Sequence, residues 1–399
     1  MTPGDASLGR AVQTQRKRLG LSQTELAARI GRSEAWVSQV ERGVRRVDRM
    51  SVLERLAESL SVPVGELAER EIVQGPPVPQ AVVHASLALS RSPLLGGLLG
   101  EAPAEDELAR VDMAADTAWA FAHSGEYDAL ASLLVETLPI VDVATARGSA
   151  RDRRRVAESA CQILLAASAM LSQLDDSAAA WVAADRATRL AELTGDPLKV
   201  AAAVFRLGFA FQSARRFDLA ESALGSAYAA LGAPSAPTSV KAAAMRGALA
   251  LQLAVVAALR GEGARAYEWL DVARPLAERV GDNRNDYNTE FGRPNLSLHE
   301  VAVAVELGDA GRALRVANSV ERQSLSPERV SGLLIDVARA HAQLRQIPEA
   351  MSALREALTV APEHVRSHAA VRDLVSGLMG GDYRRDKGVQ AMAAEVLEP

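Results

Sequence analysis

Residues 21–43 read LSQTELAARIGRSEAWVSQVERG, and this stretch decides how the N-terminal part of the chain folds. Ser22 is a good N-cap, with Glu25 three residues later as its capping-box partner. Leu26, Ala27 and Ile30 then share one face of a short helix. Gly31 suits the left-handed position that closes it. Ser33 caps a further helix carrying Trp36, Val37 and Val40, and Gly43 ends it. Upstream, Val12 and Leu19 flank Arg16, Lys17 and Arg18 in a first helix that stops at Gly20. Two short capped helices joined by a three-residue turn make a helix-turn-helix, and the small Ala27 lets them cross closely.

That geometry would lay the second of the pair in the major groove, with its N-terminal part nearest the bases. Glu34, Ala35, Ser38 and Gln39 are then the outward, base-reading positions. Gln39 can pair bidentately with adenine, Glu34 can accept from cytosine, and Ala35 can touch a thymine methyl. Ser22 and Gln23, at a helix start, are placed for phosphate contacts. Arg32, Arg42, Arg45, Arg46 and Arg49 form a phosphate-facing set. Trp36 suits either packing with backbone contact or base and sugar contact. Glu34 can also serve the helix dipole alone, and Arg16 and Glu41 can be read as ordinary surface charges.

Charge agrees with a small DNA-reading module on an acidic body. Residues 10–49 carry an excess of six positive charges, whereas the whole 399-residue chain has a net charge of −5. This excludes a protein that coats nucleic acid over its whole surface. Cys161 is the only cysteine, so neither a disulfide framework nor a cysteine-rich zinc site can form within one chain. Residues 1–10 have no signal-peptide core, and apolar runs such as 249–259 read as too short to span a membrane, so a cytoplasmic location is expected.

The segment LGRAVQTQRKRLGLSQTELAARIGRSEAWVSQVERGVRR resembles the Xre, or lambda-repressor-like, helix-turn-helix family, over about residues 8–69. Ser22-Gln23 matches the pair that opens the family's second helix, and Glu41-Arg42-Gly43 the pattern that ends its third. The resemblance implies a five-helix domain, with RMSVLERLAESLSV as helix four and PVGELAER as helix five. It also implies an Arg16–Glu41 pair and apolar contributions from Leu53, Leu56, Ala57, Leu60 and Leu67. Glu34 and Ala35 stand where well-known phage repressors carry glutamines, which leaves the operator open.

VQGPPVPQ at residues 73–80 cannot continue a helix, because each proline lacks an amide and restricts its predecessor. RSPLLGGLLGEAPAE at 91–105 is a second break, either a docked hinge or a short helix between breaks. The expected organisation is a DNA-binding domain at 1–72, a Pro/Gly-rich linker at 73–105, a helical domain at 106–380 and a tail at 381–399. The tail is either a last half-helix or a frayed end.

The helical body repeats. Gly208, Phe211, Ala220, Leu224 and Ala227 stand at offsets 0, 3, 12, 16 and 19; Ala254, Ala257, Ala266, Leu270 and Ala273 repeat them, as do Ala338, His341, Ala350, Leu354 and Ala357. Weaker copies centre on Ala129, Ala180 and Ala313. Small residues recurring where two helices of a hairpin cross define an αα-hairpin solenoid, and the pattern resembles tetratricopeptide repeats, here degenerate and lengthened. The fold class expected is all-α.

No residue set for catalysis emerges. A Walker loop is lacking, GEGARA near Gly261 has no strand context, and no serine or cysteine has a base partner. His364 and His368 share a helical face without a third ligand and read as solvent-facing; Cys161 reads as a small core residue. No cofactor and no metal are expected. The candidate that stands out is GDNRNDYNTEFGRPN at 281–295, the longest polar interruption of the body. Arg284, Tyr287, Phe291, Asn295 and His299 are its candidate effector residues, though a solvated connector fits the same stretch.

FGRPNLSLHEVAVAVELGDAGRAL looks like a stretch shared by actinobacterial Xre-type regulators with tetratricopeptide-like bodies, with Arg293 and Pro294 where Pro and Thr are more usual. The resemblance implies a homodimeric transcription regulator with a double-stranded DNA operator. Its body would dimerise and sense a peptide, a small molecule or a protein. The alternative is a protein-interaction scaffold whose helix-turn-helix only tethers it to DNA. An enzyme is not expected.

Overall fold

The computed structural model describes residues 3–32, 34–41, 50–60, 62, 78–91, 100–282, 284–381 and 383–397. Among them the regular structure is helical, with no strand. The chain divides into two compact units, Met1–Pro77 and Val78–Pro399.

The first unit contains α1 (Pro3–Arg18), α2 (Gln23–Ile30), α3 (Glu34–Glu41) and α4 (Met50–Ser59). The capping box at α2 is closed both ways: Ser22 Oγ accepts from the Glu25 amide at 3.1 Å, and the Glu25 carboxylate accepts from the Ser22 amide at 2.7 Å. Gly31 ends the helix at φ 65°, a conformation that costs a residue with a Cβ ~1–2 kcal/mol. Val12, Leu26, Ala27, Ile30, Val37, Leu56, Ala57 and Leu60 form the core. Leu19, paired with Val12 in the sequence reading, is instead 44% exposed. Gly9 is a contact the sequence reading missed: a Cβ there would lie 2.5 Å from the Val40 carbonyl oxygen, so α1 meets the end of α3 backbone to backbone. Ser33, Arg42, Gly43, Arg45, Arg46, Arg49, Leu67, the Leu53 side chain and the expected fifth helix lie outside the described residues, as do residues 73–77 of the linker and 92–99 of its second break.

The second unit begins earlier than the linker reading placed it. Residues 80–89, within the expected linker, form α5 (Gln80–Leu89). Ala81, Val82, Ala85, Ala88 and Leu89 make a buried stripe on it, at the three- and four-residue spacing that an amphipathic helix requires. Arg186 donates to the Leu89 carbonyl at 3.3 Å and to the buried Asp142 carboxylate at 2.7 Å, fastening the end of α5 to the body.

Six hairpins follow. They are α6 (Glu105–Ser124) with α7 (Tyr127–Arg147), α8 (Ala150–Gln173) with α9 (Ser177–Thr194), and α10 (Pro197–Ser213) with α11 (Phe217–Ala230). Next come α12 (Val240–Leu259) with α13 (Gly263–Val280), α14 (Arg293–Glu306) with α15 (Ala310–Ala317), and α16 (Pro327–Gln343) with α17 (Ile347–Val360). In each hairpin a buried residue of the first helix stands twelve positions before a buried residue of the second: 118 and 130, 168 and 180, 208 and 220, 254 and 266, 301 and 313, 338 and 350. Backbones come close there. A Cβ on Gly208 would lie 2.6 Å from Leu224 Cδ2, and Ser168 Oγ donates to the Ala180 carbonyl at 2.9 Å. The copy centred on Ala129 is one residue out of register, because Ala129 is half-buried and Leu130, twelve positions after Ala118, is fully buried.

The turns of the six hairpins share one conformation. Gly125, Asp175, Arg215, Gly261, Gly308 and Arg345 all have φ between 56° and 80°. Each stands five positions before the buried residue of its second helix. The repeat is thus regular in its turns and crossings, while inter-hairpin connections absorb the variable spacing.

The C-terminal segment is neither frayed nor a half-helix. After α18 (Pro362–Ser367) and α19 (Ala369–Gly380), Asp386 caps α20 (Lys387–Val396), which buries Val389, Met392, Ala393 and Val396. The run at 249–259 is the second half of the 20-residue α12. By length and composition α7 and α12 could each cross a membrane, but 83% of the apolar window of α12 is buried in the body, and 44% of that of α7. Core packing therefore accounts for the hydropathy of α12.

Candidate functional site

In the first unit, Arg16 and Glu41 form a bidentate pair, with Arg16 Nε 2.5 Å from Oε1 and NH2 3.0 Å from Oε2. Their side chains are 9% and 1% exposed, so these are not ordinary surface charges. Arg16 also donates to the Leu21 carbonyl at 2.6 Å, which ties α1 to the start of the α2 turn. Gln23 Nε2 donates to Glu41 at 2.7 Å, which uses one of its two N–H donors and ties the start of α2 to the end of α3. Burial alone would raise the Glu41 carboxyl, but hydrogen bonds from Arg16 and Gln23 outweigh it and hold the group below its ordinary value.

The expected base-reading positions lie on α3. Glu34 is exposed and accepts from Thr24 Oγ1 at 2.7 Å, while Ser38 is half-buried. Ala35 and Gln39 belong to the same helix, but their side chains lie outside the description. Trp36 is half-buried with the Arg32 guanidinium 5.7 Å from its ring centroid.

The second unit holds a cavity of about 410 Å³ on the shared inner face of the hairpins' first helices. Trp119 comes from α6, Gln173 from α8, Phe205, Arg206 and Phe209 from α10, Gln252 from α12, Asn295 and His299 from α14, and Glu328, Arg329 and Asp336 from α16. Residues 288–290 of the polar loop close one side.

The loop is built into the cavity wall. Arg329 forms an ion pair with Glu290 at 2.6 Å and donates to the Thr289 carbonyl at 3.0 Å and to Asn295 Oδ1. Asn295 Nδ2 donates to the same Thr289 carbonyl at 3.2 Å. Tyr287, Asn288 and Glu290 have φ of 55°, 55° and 46°. Three non-glycine residues in the left-handed region within four positions is strained backbone, held by these contacts.

A polar chain crosses the cavity. His299 Nδ1 stands 2.9 Å from the Asn295 carbonyl, which can only accept, so Nδ1 carries the proton. Nε2 then accepts from Gln252 Nε2 at 3.1 Å, and Gln252 Oε1 accepts from Gln212 at 2.9 Å. Burial pushes the His299 imidazole down to about 4, keeping it neutral. Desolvation raises the Asp336 carboxyl to about 6. His364 and His368, expected to face solvent, instead line the cavity, with ring centroids 5.3 Å apart. They do not share a helix face, since His368 is the N-cap of α19. Neither ring nitrogen of His364 has a partner.

Of the five residues named from the sequence for an effector, Asn295 and His299 line this cavity. Phe291 does not: it is 1% exposed and its ring lies against Gly247, where a Cβ would meet Phe291 Cζ at 1.9 Å. It is the apolar anchor that seats the loop. Arg284 is exposed and paired with Asp286 at 2.8 Å, and Tyr287 packs against the core; neither lines the cavity. The sequence reading missed Arg206 and its aromatic neighbours. The available signal was VFRLGFAF, a single charge inside an apolar helix run. Cys161 is fully buried, with its thiol pushed up to about 12 by desolvation. Among the described residues no three His, Cys, Asp or Glu side chains are grouped to hold a metal ion.

Residues 7–70 match the family model described as a helix-turn-helix domain. The chain thus joins a helix-turn-helix domain to a long helical, repeat-like domain. No curated protein matches it. Among solved structures, the chain is similar to Bacillus thuringiensis PlcR in complex with the peptide PapR7 and DNA, at 12% identity and TM-score 0.35, covering 92% of this chain and 99% of that one. It is also similar to a Rap protein complexed with competence and sporulation factor, at 13% identity and TM-score 0.48, covering 90% and 100%. The apo competence regulator ComR from Streptococcus vestibularis is similar at 10% identity and TM-score 0.28, covering 94% and 98%.

Proposed function

We propose that this chain is a non-catalytic transcription regulator in which the helix-turn-helix binds an operator and the cavity of the helical unit receives an effector. The observation that carries the effector reading is the 410 Å³ cavity, walled on one side by a strained loop and crossed by a fixed polar chain. Hydrogen-bonding groups converging in a concave, partly aromatic pocket are what small-ligand sites need. The DNA reading rests on the helix-turn-helix match and on the local positive charge.

Glu34, Ala35, Ser38 and Gln39 are proposed to read bases. Ser22, Gln23, Arg32, Trp36, Arg42, Arg45 and Arg46 are proposed to hold the backbone. A homodimer is proposed because two heads would read half-sites about one helical turn apart. The effector is a peptide or another small molecule.

The test is selection of bound duplexes from a random pool by the full-length protein, then anisotropy titrations on the selected site across a salt series. Gln39→Ala should relax discrimination by ~1–3 kcal/mol at one base position. Arg46→Ala should weaken all duplexes alike and lower the salt slope by about one. Failure to enrich any sequence would sink the regulator reading.

A further inference from the structure

Arg206 is a guanidinium inside the cavity with no ion-pair partner among the described residues; Glu328 and Glu290 favour its charged form only from longer range. It lies 5.0 Å from the Trp119 ring centroid, 5.4 Å from Phe205 and 5.5 Å from Phe209. Its NH2 donates to the Asn288 carbonyl at 3.0 Å. That bond uses one of five N–H donors. Among the described residues, no carboxylate stands within ion-pairing distance of it. Arg329 is paired with Glu290 and Asp336 with Arg339. Glu328, like Arg206, has no ion pair among the described residues and accepts from the neutral Gln173 amide. A cation surrounded by three aromatic rings and short of acceptors is costly unless something supplies an anion.

We propose that Arg206 is the docking point for a single carboxylate on the effector, with the effector's apolar body against Trp119, Phe205 and Phe209. This rests on the effector reading of the cavity. A fork of parallel N–H groups matches a carboxylate bidentately. A phosphate dianion fits less well, because Glu290, Glu328 and Asp336 also line the cavity and would repel a second negative charge. The chemistry is shared by a peptide C-terminus and by a free apolar carboxylic acid, and the two sources are separable by experiment. The bond to Asn288 also joins ligand and loop: a carboxylate that draws Arg206 toward itself competes with the loop carbonyl for the same guanidinium.

The test uses the full-length protein and four probes: a random hexapeptide mixture with free C-termini, the same mixture amidated, decanoate, and decanamide. Melting temperature and tryptophan fluorescence are followed. Either acid should bind at least about tenfold more tightly than its amide, the usual worth of a charge-assisted hydrogen bond. Arg206→Gln should abolish that preference, and Arg206→Lys should keep part of it. A preference confined to the peptide mixture identifies the source as a C-terminus, and one confined to decanoate identifies a free acid. Acid and amide binding equally would overturn the carboxylate assignment while leaving the cavity as an effector site. An acid preference that survives in Arg206→Gln, with the variant's fold intact by circular dichroism, would also overturn it. Binding of no probe would overturn both this assignment and the reading beneath it.

Discussion

The seating of the polar loop can be tested through the contact between Gly247 and Phe291. A Cβ on Gly247 would stand 1.9, 2.3 and 2.4 Å from three atoms of the Phe291 ring. Carbon atoms at rest lie ~3.5–4.0 Å apart, so in Gly247→Ala the ring must retreat by about 1.5 Å or more. Overpacking of this kind costs ~1–3 kcal/mol. Replacing a mid-helix glycine by alanine returns ~0.5–1 kcal/mol, which leaves a net loss of about 0–2.5 kcal/mol. Phe291→Ala removes a side chain that is 1% exposed and should cost ~3–5 kcal/mol. In that background the clash no longer exists. Gly247→Ala should then be stabilising, by ~0.5–1 kcal/mol from helix propensity. The double-mutant cycle should therefore give a coupling of about −1 to −3 kcal/mol. The assay is urea unfolding followed by circular dichroism and by tryptophan fluorescence, whose coincidence checks two-state behaviour in a repeat body. A local readout is trypsin cleavage after Arg284, which is exposed within the loop, and Gly247→Ala should accelerate it. The same sign of Gly247→Ala in both backgrounds, or unchanged cleavage, would refute the seating of the loop by this ring.

Three further outcomes are expected. Arg215→Gly and Arg345→Gly remove left-handed strain at φ 56° and 60°, and each should stabilise by ~0.5–1 kcal/mol, read as a shift in urea midpoint; destabilisation would mean that the arginine side chains matter more than their backbone. Glu41→Gln leaves Arg16 buried without its anion and should cost the helix-turn-helix unit ~3–5 kcal/mol. Because the folded Glu41 carboxyl lies below its ordinary value, the stability it contributes is present above the unfolded pKa, about 4.3, and falls away as pH drops through the folded one. Glu41→Gln should flatten that acid limb, measured by denaturation of the full chain at several pH values. In the helical unit, His299 and His368 are held down to about 4 and about 3, so the unfolded chain binds protons first as pH falls from ~6.5, and stability declines between there and pH 4. Asp336, raised to about 6, acts oppositely, since its protonation near that pH favours the folded state. His299→Gln should therefore make stability less steep between pH 6.5 and 4, and an unchanged slope would show that His299 is not buried neutral.

What the sequence disclosed and what it withheld follow from the range of the interactions concerned. Ser22 with Glu25, Gly31, and the stripe of Leu26, Ala27 and Ile30 are local features, and each occupies the place that its spacing implied. The twelve-residue offsets were legible because a hairpin crossing is also nearly local, with its turn length fixed. The error at Ala129 has the same root: an alanine stood next to the true crossing position, and only packing tells Leu130 from its neighbour. The cavity was scarcely legible. Its lining comes from α6, α8, α10, α12, α14, α16 and α18 and the N-cap of α19, in sequence from Trp119 to His368, and no spacing rule reaches across six hairpins. The loop drew attention through its polarity, yet Phe291, its most conspicuous aromatic, anchors it inward, and the carbonyl of Asn288 is what it offers to Arg206. A backbone carbonyl has no sequence signature. The one readable sign was Arg206 itself, a charge in an apolar run. A lone arginine there must either reach water or be met by acceptors, and in this fold the face on which it lies is the inner one.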